Sequence, residues 1–222
     1  MSQKKEILRV KGNIKEIYTK FSKIYSPIEE RFERKLREKS LELLDIQEGE
    51  VVLEIGFGTG CSLVEIARSV GEKGKVYGLD VTFKMVELAK KRVEKEGLAE
   101  KVSLCEGNAK NMPYQDDVFD AIYMAGVLEL LDTPDISRVL EEIKRVLKWN
   151  GRIGIASIPK ENHEDSRFLR FYEWIHKTFP RYASCRPIYL EDSLKDAEYK
   201  VIKTDEILLG KIFPMKIVVA KP

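Results

Sequence analysis

The stretch Val51 to Gly60, VVLEIGFGTG, constrains this chain more than any other, because a short apolar run passes directly into three glycines at alternate positions. Val51, Val52, Leu53 and Ile55 make a nearly continuous aliphatic run, the pattern of a strand buried on both faces of a parallel sheet. At Gly56, Gly58 and Gly60 there is no Cβ, so the backbone can take positive φ and approach a bound molecule; the carboxyl end of this strand is the expected ligand cradle. Leu63, Ile66, Ala67 and Val70 follow at i, i+3, i+4 and i+7, one face of a helix.

Spacing separates the nucleotides that such a unit can hold. Dinucleotide sites favour G-x-G-x-x-G, with the pyrophosphate on the helix N-terminus. Here the third glycine comes one position early, and Glu54 sits inside the strand two positions before the first. That combination resembles the class I S-adenosylmethionine-dependent methyltransferases. The resemblance implies that the Glu54 carboxylate orients the methionine part of S-adenosyl-L-methionine, and that Gly56, Gly58, Thr59 and Gly60 leave room for it. A nicotinamide-dependent oxidoreductase is the alternative from another enzyme class. A non-catalytic cofactor-binding subunit of a methyltransferase complex is the non-enzyme alternative.

Lys75 to Asp80, KVYGLD, reads as a second strand ending in a carboxylate. Doubly wound nucleotide folds place the acid that accepts both ribose hydroxyls about 20 residues after the glycines. An ionised carboxylate is acceptor-only, with two oxygens spaced for a vicinal diol, so Asp80 is the candidate, with Val81 beside it. A plain helix-capping role for Asp80 is the alternative. Thr82 is expected to cap the next helix, whose inward face is Met85, Val86, Ala89 and Val93. Lys101 to Glu106 is the third strand, closed by Gly107-Asn108-Ala109. The resemblance implies that an Asn108 oxygen accepts from the adenine amine while Ala109 leaves space for the ring, and this G-N-A form is similar to the ubiquinone and menaquinone C-methyltransferase branch. Asn108 could instead be a turn residue. The fourth strand, Phe119 to Met124, opens into Ala125 to Glu129, which the resemblance puts beside the sulfonium.

Ile136, Val139, Leu140, Ile143, Val146 and Leu147 form the clearest helical stripe. Lys148 to Gly151 then predicts a glycine turn, with Trp149 where the family has proline, and Arg152 to Ile158 a fifth strand. Tyr189 to Ala197 reads as the last helix, and Lys200 to Leu208 and Met215 to Ala220 as an antiparallel hairpin joined at Gly210. The expected fold is α/β: a doubly wound Rossmann-like sheet, mostly parallel, with an antiparallel C-terminal hairpin and a helical N-terminal extension. One domain is expected over 1–222, divided into an N-terminal helical cap (1–48), a cofactor-binding core (49–158), an insertion serving as acceptor lid (159–188), and a C-terminal helix and hairpin (189–222).

Two segments carry the acceptor question. Asn13 to about Leu44 reads as helices interrupted near Ser26-Pro27. The resemblance implies that this extension folds over cofactor and acceptor, with Tyr18, Phe21 and Tyr25 as contacts; anchoring to the sheet is the alternative. In the insertion a helix is expected over His163 to Thr178, with a stripe of Phe168, Phe171, Tyr172, Ile175 and Phe179 and Trp174 on its shoulder. Such a stripe either covers an apolar acceptor or packs as core.

Charge balance bears on partners. Lys plus Arg number 39 against 37 Asp plus Glu, a formal net charge of +2, which gives no strong field for nucleic acid. The start MSQKKEILRVKG is too charged for a secretory signal, and no apolar run is long enough to span a bilayer, so a cytoplasmic protein is expected, with a peripheral membrane contact allowed. Cys61, Cys105 and Cys185 are far apart, which indicates neither a disulfide framework nor a zinc site, and no metal is expected. The expected function is methyl transfer to a small or lipid-like acceptor of quinone, phenol or phospholipid type. A base is required only where the acceptor must lose a proton. His163 and His176 read as surface helix residues, so no catalytic residue is assigned, and the oligomeric state is open.

Overall fold

A computed structural model describes residues 27–178, 185–210 and 212–222. Tyr18, Phe21, Tyr25 and Phe179 lie outside the described residues, as do the side chains of Phe168, Ile175 and His176.

The chain order is α1 (Pro27–Leu44), β1 (Val51–Ile55), α2 (Cys61–Ser69), β2 (Lys75–Asp80), α3 (Phe83–Lys95), β3 (Val102–Glu106) and β4 (Phe119–Ala125). A 3-10 turn at Leu128–Leu130 leads to α4 (Thr133–Val146), β5 (Leu147–Ser157), α5 (Arg167–Thr178), α6 (Leu190–Asp196), β6 (Lys200–Leu209) and β7 (Phe213–Lys221). The strands form one seven-stranded sheet in the order β3-β2-β1-β4-β5-β7-β6. The first five are parallel, and β7 lies antiparallel to both β5 and β6. This is the Rossmann-like arrangement expected, hairpin included. The order reverses between β1 and β4, which puts the switch-point crevice at the carboxyl end of β1.

Alternation along β1 divides its side chains between two layers. Val52 joins a cluster with Leu63, Ile66, Ala67 and Val70 of the α2 region and Met85, Ala89 and Val93 of α3. Leu53 and Ile55 join the opposite cluster with Ile136, Val139, Leu140, Ile143 and Val146 of α4. Each fully buried aliphatic chain contributes about 1.5 to 3 kcal/mol, so these two stripes are what hold the helices to the sheet. A third cluster, at the carboxyl end of β5, joins Leu36 of α1 to Ala156, Ile158, Leu169, Met215 and Ile217.

Two local expectations differ from what is observed. The segment Lys148 to Gly151 is not a turn: β5 runs unbroken from Leu147, bulging so that Leu147 pairs with Phe119 and Arg152 with Ala121. Gly151 is required there because a Cβ would collide with Leu147 and sit 2.9 Å from the Lys148 carbonyl. The insertion helix begins at Arg167 rather than His163, because the Ser166 hydroxyl accepts the Leu169 N–H at 3.3 Å and caps it. His163 precedes the helix and pairs with Glu206 at 2.7 Å. Thr82 occupies the N-cap of α3 without a side-chain capping bond.

Candidate functional site

Loops leave the carboxyl ends of β1, β3 and β4 side by side, and a backbone bond ties each to the neighbouring strand. The Gly56 N–H donates to the Leu79 carbonyl at 2.7 Å, and the Gly107 N–H to the Asp80 carbonyl at 2.8 Å. Gly126, just past β4, donates to the Ala156 carbonyl at 3.0 Å. Glu54, Gly56, Gly58, Thr59, Gly60, Asp80 and Val81 are thereby gathered at one sheet end, with Asn108 and Ala109 following β3 and Ala125 closing β4.

The glycines do different jobs. All three have positive φ (71°, 52° and 81° for Gly56, Gly58 and Gly60), a region that L side chains rarely adopt. At Gly56 a Cβ would also collide with Val127, which seats the post-β4 loop against the glycine loop. At Gly60, the N-cap of α2, a Cβ would lie 2.9 Å from the Ala89 Cβ and 3.1 Å from its Cα, so this glycine lets α2 and α3 approach. Gly58 alone among them faces open space, as does Gly126. Gly60→Ala is therefore expected to destabilise the protein by about 1 to 3 kcal/mol through overpacking, beyond the backbone strain it shares with Gly58→Ala. Urea midpoints of the two variants check this, and equal midpoints would contradict it.

Two carboxyls frame the loop. Asp80 is buried, its Oδ1 accepting the Thr82 N–H at 2.8 Å and its Oδ2 the Gly58 N–H at 3.2 Å. Burial raises its pKa, while these bonds from Thr82 and Gly58 oppose the rise. Asp80 thus anchors the glycine loop to the start of α3, and each oxygen retains a lone pair for a further donor. Glu54 is 3% exposed, and its Oε1 accepts the Ser62 hydroxyl while Oε2 has no hydrogen-bond partner among the described residues. Burial pushes its pKa up to about 8, against the lowering effect of Ser62 and of Arg37 on α1. An orphaned buried carboxylate oxygen costs about 1 to 3 kcal/mol or more. Such a group suits a cationic ligand.

Asn108 is exposed, and its Oδ1 accepts the Lys110 N–H at 3.0 Å, the turn role that its sequence allowed. A second lone pair on that oxygen is left. Beyond the expected set, tertiary packing adds Ser62 and Arg37. Of the stretch expected beside the sulfonium, Val127 seats on Gly56, and Glu129 is fully buried, its carboxyl raised by burial to about 7 against the lowering effect of Ile158, Ser157 and Arg186. Ser62 had a sequence signal, a polar residue in the first turn of a helix otherwise apolar on its inner face. Arg37 had none, since it lies on α1, distant in sequence.

A family described as "Methyltransferase domain" matches residues 52–151, which span β1 to the bulge of β5. The chain is 32% identical to a demethylmenaquinone methyltransferase from Lactobacillus johnsonii over 156 residues, 70% of this chain and 62% of that protein. It is also 32% identical to the demethylmenaquinone methyltransferase of Bacillus licheniformis, covering 90% of this chain and 93% of that one. The match to the Lactobacillus johnsonii relative spans less than two thirds of that protein's own length. Among solved structures, a SAM-dependent methyltransferase from Aquifex aeolicus superimposes with a TM-score of 0.68 at 30% identity, covering 91% of this chain and 97% of that one.

Proposed function

The chain belongs to the class I S-adenosylmethionine-dependent methyltransferases, and from that premise we propose that it moves a methyl group from S-adenosyl-L-methionine to a small, lipid-like acceptor of quinone or phenol type. The observation that carries the reading is the unpartnered Oε2 of Glu54, buried at the mouth of a glycine loop that Asp80 clamps. The site fits the cofactor group by group. Glu54 would hold the methionine ammonium, the Asp80 oxygens the ribose diol, and Asn108 the adenine amine, with Ala109 beside the ring. Gly58 has the open space that a ligand needs. Gly56, Thr59, Gly60, Val81 and Ala125 complete the wall.

When bound, the sulfonium supplies an electrophilic methyl group whose transfer discharges the cofactor's positive charge. What this chain supplies is alignment and exclusion of water; positioning alone can account for much of such an acceleration. Val127, packed on Gly56, fixes the loop that leads to Glu129, and Gly126 leaves space beside it. The quinone-type acceptor is supported by the two demethylmenaquinone methyltransferases at 32% identity. No helix among the described residues is long and apolar enough to cross a membrane, and a cytoplasmic site reaching a lipid-like acceptor is the arrangement we infer.

S-adenosylhomocysteine is expected to raise the melting temperature in proportion to RT ln(1 + [L]/Kd), and NAD to leave it unchanged. A shift with NAD and none with S-adenosylhomocysteine would transfer the chain to the oxidoreductase reading.

A further inference from the structure

Outside the crevice, α5 carries an exposed stripe that the methyl-transfer reading does not use. Leu169 of this helix is buried against the carboxyl end of β5, and Tyr172 meets Phe213 edge-on at 5.5 Å. The outward side holds Arg167, Arg170, Phe171 and Trp174, at i, i+3, i+4 and i+7, all exposed. Phe171 is 57% and Trp174 55% exposed, and their rings stack at 5.9 Å and 21°. Because Phe213 is held on Tyr172, the β6–β7 turn lies beside this helix, and its Ile212 is 62% exposed. The acid nearest in sequence on α5, Glu173, is taken up by Lys160 at 2.8 Å, and the exposed Glu164 and Asp165 precede the helix.

We propose that the Arg167-Arg170-Phe171-Trp174 face of α5, with Ile212, is a docking surface for an anionic phospholipid bilayer. Tryptophan and phenylalanine flanked by arginine are the side chains that settle at the headgroup boundary, the rings in the acyl edge and the guanidinium groups on lipid phosphate. The area argues against a second copy of this chain. Aromatic side chains bury 150 to 250 Å² each, so three half-exposed apolar residues leave about 300 Å². A specific protein interface uses about 800 Å² per partner. Location agrees with the bilayer: α5 stands at the carboxyl end of β5, the sheet end where the glycine loop and Asp80 open. Docking here would bring the mouth of the crevice to the layer in which a lipid-like acceptor resides. The proposal goes beyond the reaction and is tested apart from it.

The full chain has two tryptophans, and Trp149→Phe, at an 88% exposed position on the β5 bulge, leaves Trp174 as the sole tryptophan. Its emission is expected to shift to the blue on vesicles of phosphatidylcholine containing a third phosphatidylglycerol, and to return at high salt. In co-flotation, Arg167→Ala and Arg170→Ala should each weaken partitioning about fivefold. Phe171→Ser/Trp174→Ser should abolish it, with the S-adenosylhomocysteine thermal shift retained as proof of folding. The proposal is overturned if the parent does not float with these vesicles at low salt, or if the double variant floats undiminished. It is equally overturned if the double substitution instead dissolves a dimer in solution, which would assign the face to a second copy.

Discussion

Glu54→Gln is expected to flatten the pH dependence of stability between about pH 5 and 8. In the folded protein burial holds the Glu54 carboxyl near 8, whereas in the unfolded chain it titrates near its ordinary 4.5. Across that window the folded state keeps a proton that the unfolded chain has lost, so stability falls as pH rises through it and is constant above it. The full span corresponds to about 5 kcal/mol at 1.36 kcal/mol per unit, an upper bound for a carboxyl this deeply buried. The glutamine cannot titrate, so its unfolding free energy should change less over the same range. An orphaned amide lowers its absolute stability by about 1 to 3 kcal/mol. Urea denaturation of both proteins at pH 5, 6, 7 and 8 reads the difference, and parallel curves would mean that Glu54 is ionised at neutral pH without a ligand. The same proton couples to the cofactor. Binding an ammonium requires the ionised carboxyl, so affinity for S-adenosylhomocysteine should rise with pH until about 8 in the parent and not in the variant.

Asp80→Ala should weaken S-adenosylhomocysteine by about 1.5 to 3 kcal/mol, roughly 10- to 150-fold, the range for hydrogen bonds to a charged group. Calorimetric titration measures it, and an unchanged Kd would reduce Asp80 to its role in the loop. That role is real and predicts a second effect. With the carboxylate gone, the N–H groups of Gly58 and Thr82 lose their acceptor, so the glycine loop is released from α3. Part of the lost affinity therefore comes from disorder in the free protein, and the variant should also lose about 1 kcal/mol of stability.

How much of this was legible in advance depends on the range over which each feature is encoded. Strand β1, the glycine loop, β2 ending in Asp80, and the α4 stripe each declare themselves within a dozen residues, because hydrophobic period and glycine placement act locally. Element order then restricts the sheet to a right-handed, doubly wound arrangement, so fold class and the place of the site follow with little freedom.

The insertion helix illustrates the limit of that reasoning. Its spacing allowed either a core stripe or a lid, and a core stripe does not account for Phe171 and Trp174, both more than half exposed. Periodicity reveals that a helix has an apolar face. It does not say which of two adjoining faces meets the sheet, and here Leu169 and Tyr172 take that place. The bulge in β5 was hidden for a similar reason: a glycine between helix and strand signals a turn, and only the pairing of Leu147 with Phe119 carries the strand through it.

From the sequence alone came the α/β class, the order of the elements along the chain, and a set of residues for one end of the sheet, because these rest on local propensity and short spacings. Tertiary structure decided what those residues experience. The unpartnered oxygen of Glu54, the Ser62 hydroxyl on its other oxygen, the influence of Arg37, the seating of Val127 on Gly56 and the outward turn of Trp174 arise where separate elements meet. Such meetings fix burial and electrostatics, and those quantities depend on every neighbour in space, not on the neighbours in the chain.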